Sequence, residues 1–460
     1  MNFQPNSLAA RDIASLLHPY TNLKTHQEDG PFVVTRGDGI YVYDDDGKPY
    51  IEAMAGLWCT ALGFGNERLV ETAASAMRDL PFYHGFNGKS HPAAIELAEK
   101  LLQISPVPMS KVFFANSGSE ANDTAIKLVW YINNARGRPN KKKIISRQKA
   151  YHGVTVAAAS LTGLPANQRD FDIPIDGILH TDCPHYYRYG EAGESEEDFA
   201  SRCADNLEQL ILAEGPDTVA AFFAEPVMGA GGVLVPPASY FEKIQAILKK
   251  YDILFIVDEV ICGFGRTGNM FGTQTYNLAP DMISFAKALS SAYVPISALM
   301  VSEQVYQAMV IESEKIGIFG HGYTYGGHPV ACAVALETLK IYEEWDIVSH
   351  VRSISPTLQN GLRALGEHPL VGEARGVGLI GALELVRDKS TREPFAANLG
   401  IGNHVRLAAE EAGVITRNMG DTIAFAPPLI IEDKQITTIL KIVNDALDET
   451  FAMIEDKNLF

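Results

Sequence analysis

A chain of 460 residues, 47% hydrophobic and 20% charged, can bury a large core in more than one lobe. Its 56 acidic residues outnumber 38 basic ones, and the formal charge of −18 repels nucleic-acid phosphates and anionic membrane surfaces, so small-molecule chemistry is expected, with neither nucleic acid nor membrane as a partner. The five cysteines (Cys59, Cys183, Cys203, Cys262 and Cys332) are odd in number and never form a CxxC pair; residues 1–20 lack an apolar-cored leader, and no apolar run nears the roughly 20 residues of a bilayer span, so the expected place is the reducing cytoplasm.

In chain order, residues 33–51 (VVTRGDGIYVYDDDGKPYI) alternate in short runs broken by turn clusters, which predicts a small antiparallel meander. From about residue 70, helical stretches alternate with seven β-rich runs, at 112–115, 144–146, 178–180, 219–223, 254–257, 283–285 and 296–301. That alternation predicts an α/β fold whose mostly parallel sheet is covered by helices. A long helix is expected over 329–344, then a strand-rich GVGLIGALELV at 376–386, then further helices with apolar positions about 3.6 apart. The expected division is an N-terminal segment of a small lobe at 1–68, a large lobe at 69–334 and a C-terminal α+β part of the small lobe at 335–460.

Three runs carry candidate chemistry. In KVFFANSGSEANDTAIKL (111–128), Ser117, Gly118 and Ser119 sit between a strand and a helix; the free N–H groups there suit a phosphate, although the serine is equally an ordinary N-cap. In YDILFIVDEVICGFGRTG (251–268), a continuous apolar strand ends in Asp258 and Glu259, where a carboxylate points into the crevice in which α/β sheets bind ligands; a helix cap or surface ion pair reads as well from that run alone. Gly263, Gly265 and Gly268 satisfy GxGxxG, but they do not follow the strand directly and no helical period follows them, so a loop is expected and not a dinucleotide site. In DMISFAKALSSAYVPISALMV (281–301), Lys287 follows a β-rich run and precedes a turn of small residues, a setting that can desolvate an amine and make it a Schiff-base nucleophile. The histidines form no compact metal-ligand spacing, so no metal is expected.

Together, SGSEAND, YHG (151–153), EPVMGAGG (225–232), DEVICGFGRTG, Lys287 and HGYTYGGHP (321–329) resemble, in order and spacing, the class III pyridoxal-phosphate aminotransferases. Within them the chain is similar to the omega-transaminases that use pyruvate, through SLTGLP (160–165), CPHYYRYGEAGESEE (183–197) and RNMGD (417–421). The resemblance implies fold type I, with a seven-stranded mostly parallel sheet, and pyridoxal 5'-phosphate as cofactor. It implies that Lys287 carries the cofactor as a Schiff base and shuttles the substrate proton, and that Asp258 pairs with the ring nitrogen. Gly118 and Ser119 hold the phosphate, helped by Thr324 of a second subunit. Tyr151 stacks on one ring face, Val260 presses on the other, Glu225 positions Asp258 or the ring edge, and His152 either lines the pocket or is structural.

The implied substrate wall is Tyr20, Trp58, Phe86 and Tyr151, with Arg417 as a mobile clamp for a carboxylate. The implied partners are an amine donor and a keto acid, pyruvate first, with 2-oxoglutarate and 4-aminobutyrate or a diamine as the alternative pair. The implied assembly is a homodimer with shared sites, and pairing into tetramers stays open. Tyr325, Gly326 and Cys59 depart from what related enzymes commonly carry, which leaves the substrate range open.

Overall fold

The computed structural model describes residues 3–459. Its strands, in chain order, are β1 Val34–Asp38, β2 Tyr41–Asp44, β3 Pro49–Glu52, β4 Lys111–Ala115, β5 Lys143–Arg147, β6 Ile178–Thr181, β7 Val219–Ala224, β8 Leu254–Asp258, β9 Met282–Phe285, β10 Ser297–Val301, β11 Val371–Val377, β12 Ile380–Leu385, β13 Val414–Ile415, β14 Arg417–Met419 and β15 Thr422–Phe425. They form a seven-stranded sheet ordered β4-β10-β9-β8-β7-β5-β6 and two four-stranded sheets ordered β1-β2-β3-β13 and β11-β12-β15-β14. The seven runs expected from sequence are the seven strands of the large sheet, and β10 alone runs antiparallel to its neighbours.

The large sheet is buried on both faces, and its central strands show why they read as unbroken apolar runs. Phe222 and Phe255 point to the side covered by the helices Glu196–Glu214 and Tyr240–Lys250, where they join Phe199, Leu207 and Ile244. The next residues, Phe223 and Ile256, join Ile126, Val129 and Ile132 of the helix Gly118–Ala135 on the other side. The two-residue period of a strand thus assigns adjacent side chains to opposite layers.

The N-terminal meander is antiparallel as expected, and β13 adds to it in parallel, so the two ends of the chain share one sheet. The expected helix is Pro329–Glu344, and the strand-rich segment forms the β11–β12 hairpin. The GxGxxG glycines lie in a loop that ties to the C-terminal part of the chain: Phe264 enters the core, and the Arg266 guanidinium donates to the carbonyls of Leu379 and Pro427. Only a one-turn helix, Gly272–Thr275, follows them. Among the described residues no helix is long and apolar enough to cross a membrane.

Candidate active site

The parallel strands β7, β8 and β9 are neighbours, and each delivers one ionisable residue at its carboxyl end: Glu225 just past β7, Asp258 closing β8, and Lys287 just past β9. The loop after β5 adds Tyr151 and His152, and the start of the helix after β4 adds Gly118 and Ser119. All seven line one cavity of about 370 Å³, whose remaining wall includes Tyr20, Leu57, Trp58, Asn122, Val260 and Arg417. A crevice at strand carboxyl ends is where open α/β sheets bind ligands.

Asp258 is buried, and three donors fix its carboxylate. The side chains of Asn122 and His152 donate to Oδ2 at 2.8 and 2.9 Å, through Nδ2 and Nδ1 respectively, and the Val260 amide donates to Oδ1 at 3.0 Å. Oδ1 therefore keeps capacity for one more donor, such as the protonated nitrogen of a pyridine ring. Asn122 also donates to the His152 carbonyl at 2.8 Å, which ties the helix after β4 to the loop after β5. The neighbouring Glu259 turns away: its oxygens cap Gly272 and Thr273, so of the two strand-end carboxylates only Asp258 faces the cavity.

Ser117 caps the helix, accepting the Glu120 amide at 3.2 Å. Gly118 and Ser119 are thus its first two residues, whose amides lack intrahelical acceptors, as an anion site requires. A Cβ at Gly118 would lie 3.2 Å from a Val260 methyl, so the close approach of these two segments across the cavity suits glycine. Ser119 Oγ accepts the Val154 amide at 3.1 Å. The Ser117-Gly118-Ser119 turn, the Asp258 carboxylate with its spare acceptor and Lys287 in the same cavity suit the phosphate, ring nitrogen and aldehyde of pyridoxal phosphate.

Lys287 Nζ makes no hydrogen bond among the described residues and sits 5.6 Å from the centroid of the Trp58 ring. Burial pushes its pKa below the ordinary lysine value, opposed by the negative charge of neighbouring groups including Asp258 and Glu225. Its backbone is left-handed, φ +50°, as is that of Trp58, φ +59°. Such conformations cost energy in non-glycine residues and persist where surroundings impose them, often at functional sites.

Arg417 on β14 lies 5.1 Å from the same Trp58 ring. Burial, and secondarily the neighbouring Tyr20 hydroxyl, raise the Tyr151 pKa, and Asn167 donates to the Tyr20 hydroxyl. Burial lowers the Arg417 pKa, offset by Tyr20 and Tyr151.

One sequence expectation, for Phe86, needs correction, and those for Glu225 and His152 are narrowed. Glu225 does not bond to Asp258; its Oε1 and Oε2 accept the amides of Tyr151 and Gly229, each at 3.0 Å, so it shapes the loop that presents Tyr151. Phe86, expected on the substrate wall, does not reach this cavity within one chain, and Thr324, expected from a second subunit, does not line it either; both are exposed. Phe86 borders a separate cleft of about 630 Å³ with His91, Phe113 and His321, because the segments 85–91 and 318–327 pack at the β4 edge of the large sheet. His152 is both a lining residue and a structural one. Sequence reasoning missed Asn122; its one signal is its place four residues past Gly118, on the helix face that also carries the phosphate turn.

A model of the family "aminotransferase class-III" matches residues 23–447. The chain belongs to the class III aminotransferases. It is therefore a pyridoxal-phosphate-dependent transaminase of fold type I. Gamma-aminobutyrate transaminase 1, mitochondrial, of Oryza sativa subsp. japonica is 54% identical over 95% of this chain and 84% of its own length. An omega transaminase from Pseudomonas jessenii, solved with PMP, superposes with a TM-score of 0.97 at 57% identity, covering 98% of this chain and 99% of that one. A thermostable omega transaminase variant, W58M/F86L/R417L, engineered for asymmetric synthesis of enantiopure bulky amines, has a TM-score of 0.96 at 57% identity, covering 97% and 100%.

Proposed function

We propose that this aminotransferase moves an amino group from an omega-amino acid, or from an apolar primary amine, to pyruvate in two half-reactions that share one pocket. The observation that carries the reading is the single arginine lining the cavity among the described residues, Arg417, set against an aromatic wall of Tyr20, Trp58 and Tyr151. One planar guanidinium matches one carboxylate in two contacts, which serves pyruvate, alanine or 4-aminobutyrate. A dicarboxylate such as 2-oxoglutarate calls for a second cation. When an apolar amine enters, the aromatic wall receives its substituent. The names of the relatives favour 4-aminobutyrate among the donors.

When bound, the cofactor supplies an aldehyde carbon for the amino group and a ring that takes up the electron pair left as the substrate carbon loses its proton. Lys287 Nζ would be the nucleophile that holds that aldehyde and the base that moves the proton at the substrate carbon. Asp258 Oδ1 accepts the ring N–H and keeps the electron sink charged, with Asn122 and His152 orienting it. Gly118 and Ser119 bind the phosphate, and Tyr151 and Val260 confine the ring.

The active unit of this reading is a homodimer, in which the exposed Thr324 and Phe86 complete the partner's site. A cluster of exposed aromatics supports it: Phe82, Tyr83, Phe86 and Tyr325 are 38%, 42%, 45% and 61% exposed, and Phe82 and Tyr325 are 5.6 Å apart. Trp58, Phe86 and Arg417 carry the same residue types and numbers as the three positions changed in the bulky-amine variant, which supports their place in the substrate pocket. Five unpaired cysteines suit a reducing compartment such as the cytoplasm.

Steady-state assays with 4-aminobutyrate and either pyruvate or 2-oxoglutarate test the reading. A higher kcat/KM for pyruvate is expected, and a clear preference for 2-oxoglutarate overturns it.

A further inference from the structure

Near the N-terminus two short helices, Leu8–Ser15 and Leu23–Asp29, contribute no buried residue to the core. The connection between them nevertheless carries Pro19 and Tyr20 to the mouth of the active-site cavity. What holds this segment together is a cluster of three side chains. His18 Nε2 lies 2.8 and 2.9 Å from the two oxygens of Asp12, and His26 Nε2 lies 3.0 Å from Asp12 Oδ1. The two imidazoles sit side by side, with centroids 4.3 Å apart, and both present the same ring nitrogen to the carboxylate.

We propose that Asp12, His18 and His26 form a site for one divalent transition-metal ion of the zinc type, which staples the segment bearing Tyr20. The geometry fits. One ligand atom from each residue lies within 4.8 Å of the others. Zinc bonds of about 2.0–2.2 Å in a tetrahedron put neighbouring ligand atoms roughly 3.3 Å apart, so an ion needs the two contacts with Asp12 Oδ1 to open by only a few tenths of an ångström. Two imidazoles and one carboxylate leave a fourth position for water, and the nitrogen ligands select zinc, nickel or copper over magnesium or calcium, which take oxygen ligands.

A second histidine–carboxylate cluster, His185 with Glu373 and Glu384, is not such a site, because the guanidiniums of Arg375 and Arg188 already neutralise its carboxylates. The consequence for the pocket rests on the substrate reading of Tyr20 given above. Bound metal fixes residues 12–26 as a closed loop, and with them the hydrogen bond from Asn167 to the Tyr20 hydroxyl and the place of Tyr20 on the cavity wall.

The test is zinc uptake by untagged holoenzyme, stripped with chelator, desalted and titrated against a chromophoric chelator. Wild type is expected to take up one ion per chain that magnesium does not displace, and His26→Ala and Asp12→Asn are expected to lose it. Saturating zinc is also expected to slow tryptic cleavage at Arg11 and Lys24 about tenfold in wild type and not in His26→Ala. Wild type that binds no ion beyond the buffer control, or that binds it as His26→Ala does, overturns the site. Because uptake is read without turnover, its failure is distinct from failure of the substrate assignment.

Discussion

Asn122→Ala separates a residue that orients the cofactor from one that merely packs. The substitution deletes one donor to Asp258 Oδ2 and the donor to the buried His152 carbonyl, both at 2.8 Å. A hydrogen bond to a charged group contributes about 1.5–3 kcal/mol and a neutral one about 0.5–1.5 kcal/mol. The cofactor-free enzyme is therefore expected to lose roughly 2–4 kcal/mol of stability, the two bonds taken together. Asp258 is left with His152 and Val260, and the share of the first bond that goes into holding the carboxylate on the ring nitrogen appears as weaker cofactor binding. With half of that bond's about 1.5–3 kcal/mol realised only in the holoenzyme, and about 1.4 kcal/mol per tenfold, the cofactor Kd rises roughly 3- to 10-fold. The assay is titration of the cofactor-free variant with pyridoxal phosphate, followed by visible absorbance, beside thermal unfolding of the same sample. A Kd within twofold of wild type alongside a lowered Tm would refute the reasoning, because it would assign Asn122 to stability alone.

Arg417→Ala is expected to raise KM for pyruvate at least roughly 10- to 100-fold, the loss of a two-contact charge-assisted clamp, and to leave the half-reaction with an apolar amine within a few-fold. Rapid-mixing half-reactions with each substrate alone check the split. For Lys287, whose pKa burial depresses in the folded state, the unfolded chain binds the proton more readily between the folded value and the ordinary 10.5. Stability of the cofactor-free enzyme therefore climbs with pH across that window and levels off below the folded value; Lys287→Met should flatten the climb in chemical unfolding measured at several pH values. Gly153→Ala would put a Cβ 2.5 Å from Ser119 Oγ at a φ of +135°, so a large loss of cofactor retention is expected in equilibrium dialysis. Lys287→Ala and Thr324→Glu, each inactive alone, should recover about a quarter of wild-type activity when mixed one to one, because half of the dimers then carry one intact site; no recovery argues against a shared site.

Much of the architecture was legible because burial on both faces forces the large sheet into seven apolar runs, and these are the seven strands. Strand order was not legible, since Asp258 and Lys287 stand 29 positions apart in the chain and become neighbours only when β9 pairs with β8. The motif residues at strand ends, Asp258, Lys287 and Glu225, converge as expected because a parallel sheet brings its carboxyl ends to one edge. Asn122 was hidden because an asparagine on a helix next to a phosphate turn has many uses, and only the crossing of the Tyr151–His152 loop gives it a carboxylate to bond. The place of Phe86 was not legible, because only the packing of segment 85–91 at the β4 edge sets it apart from the cavity. The Asp12–His18–His26 cluster escaped the search for compact metal-ligand spacing because its members are six and eight residues apart and meet only when two short helices fold back on each other.

The central claim is that Lys287 carries the cofactor. The most direct measurement is borohydride reduction of the holoenzyme followed by peptide mapping by mass spectrometry. A phosphopyridoxyl group is expected on the peptide containing Lys287, and loss of that label, with the visible absorbance, in Lys287→Ala; label on another lysine, or an unchanged absorbance in the variant, would show that another residue holds the cofactor.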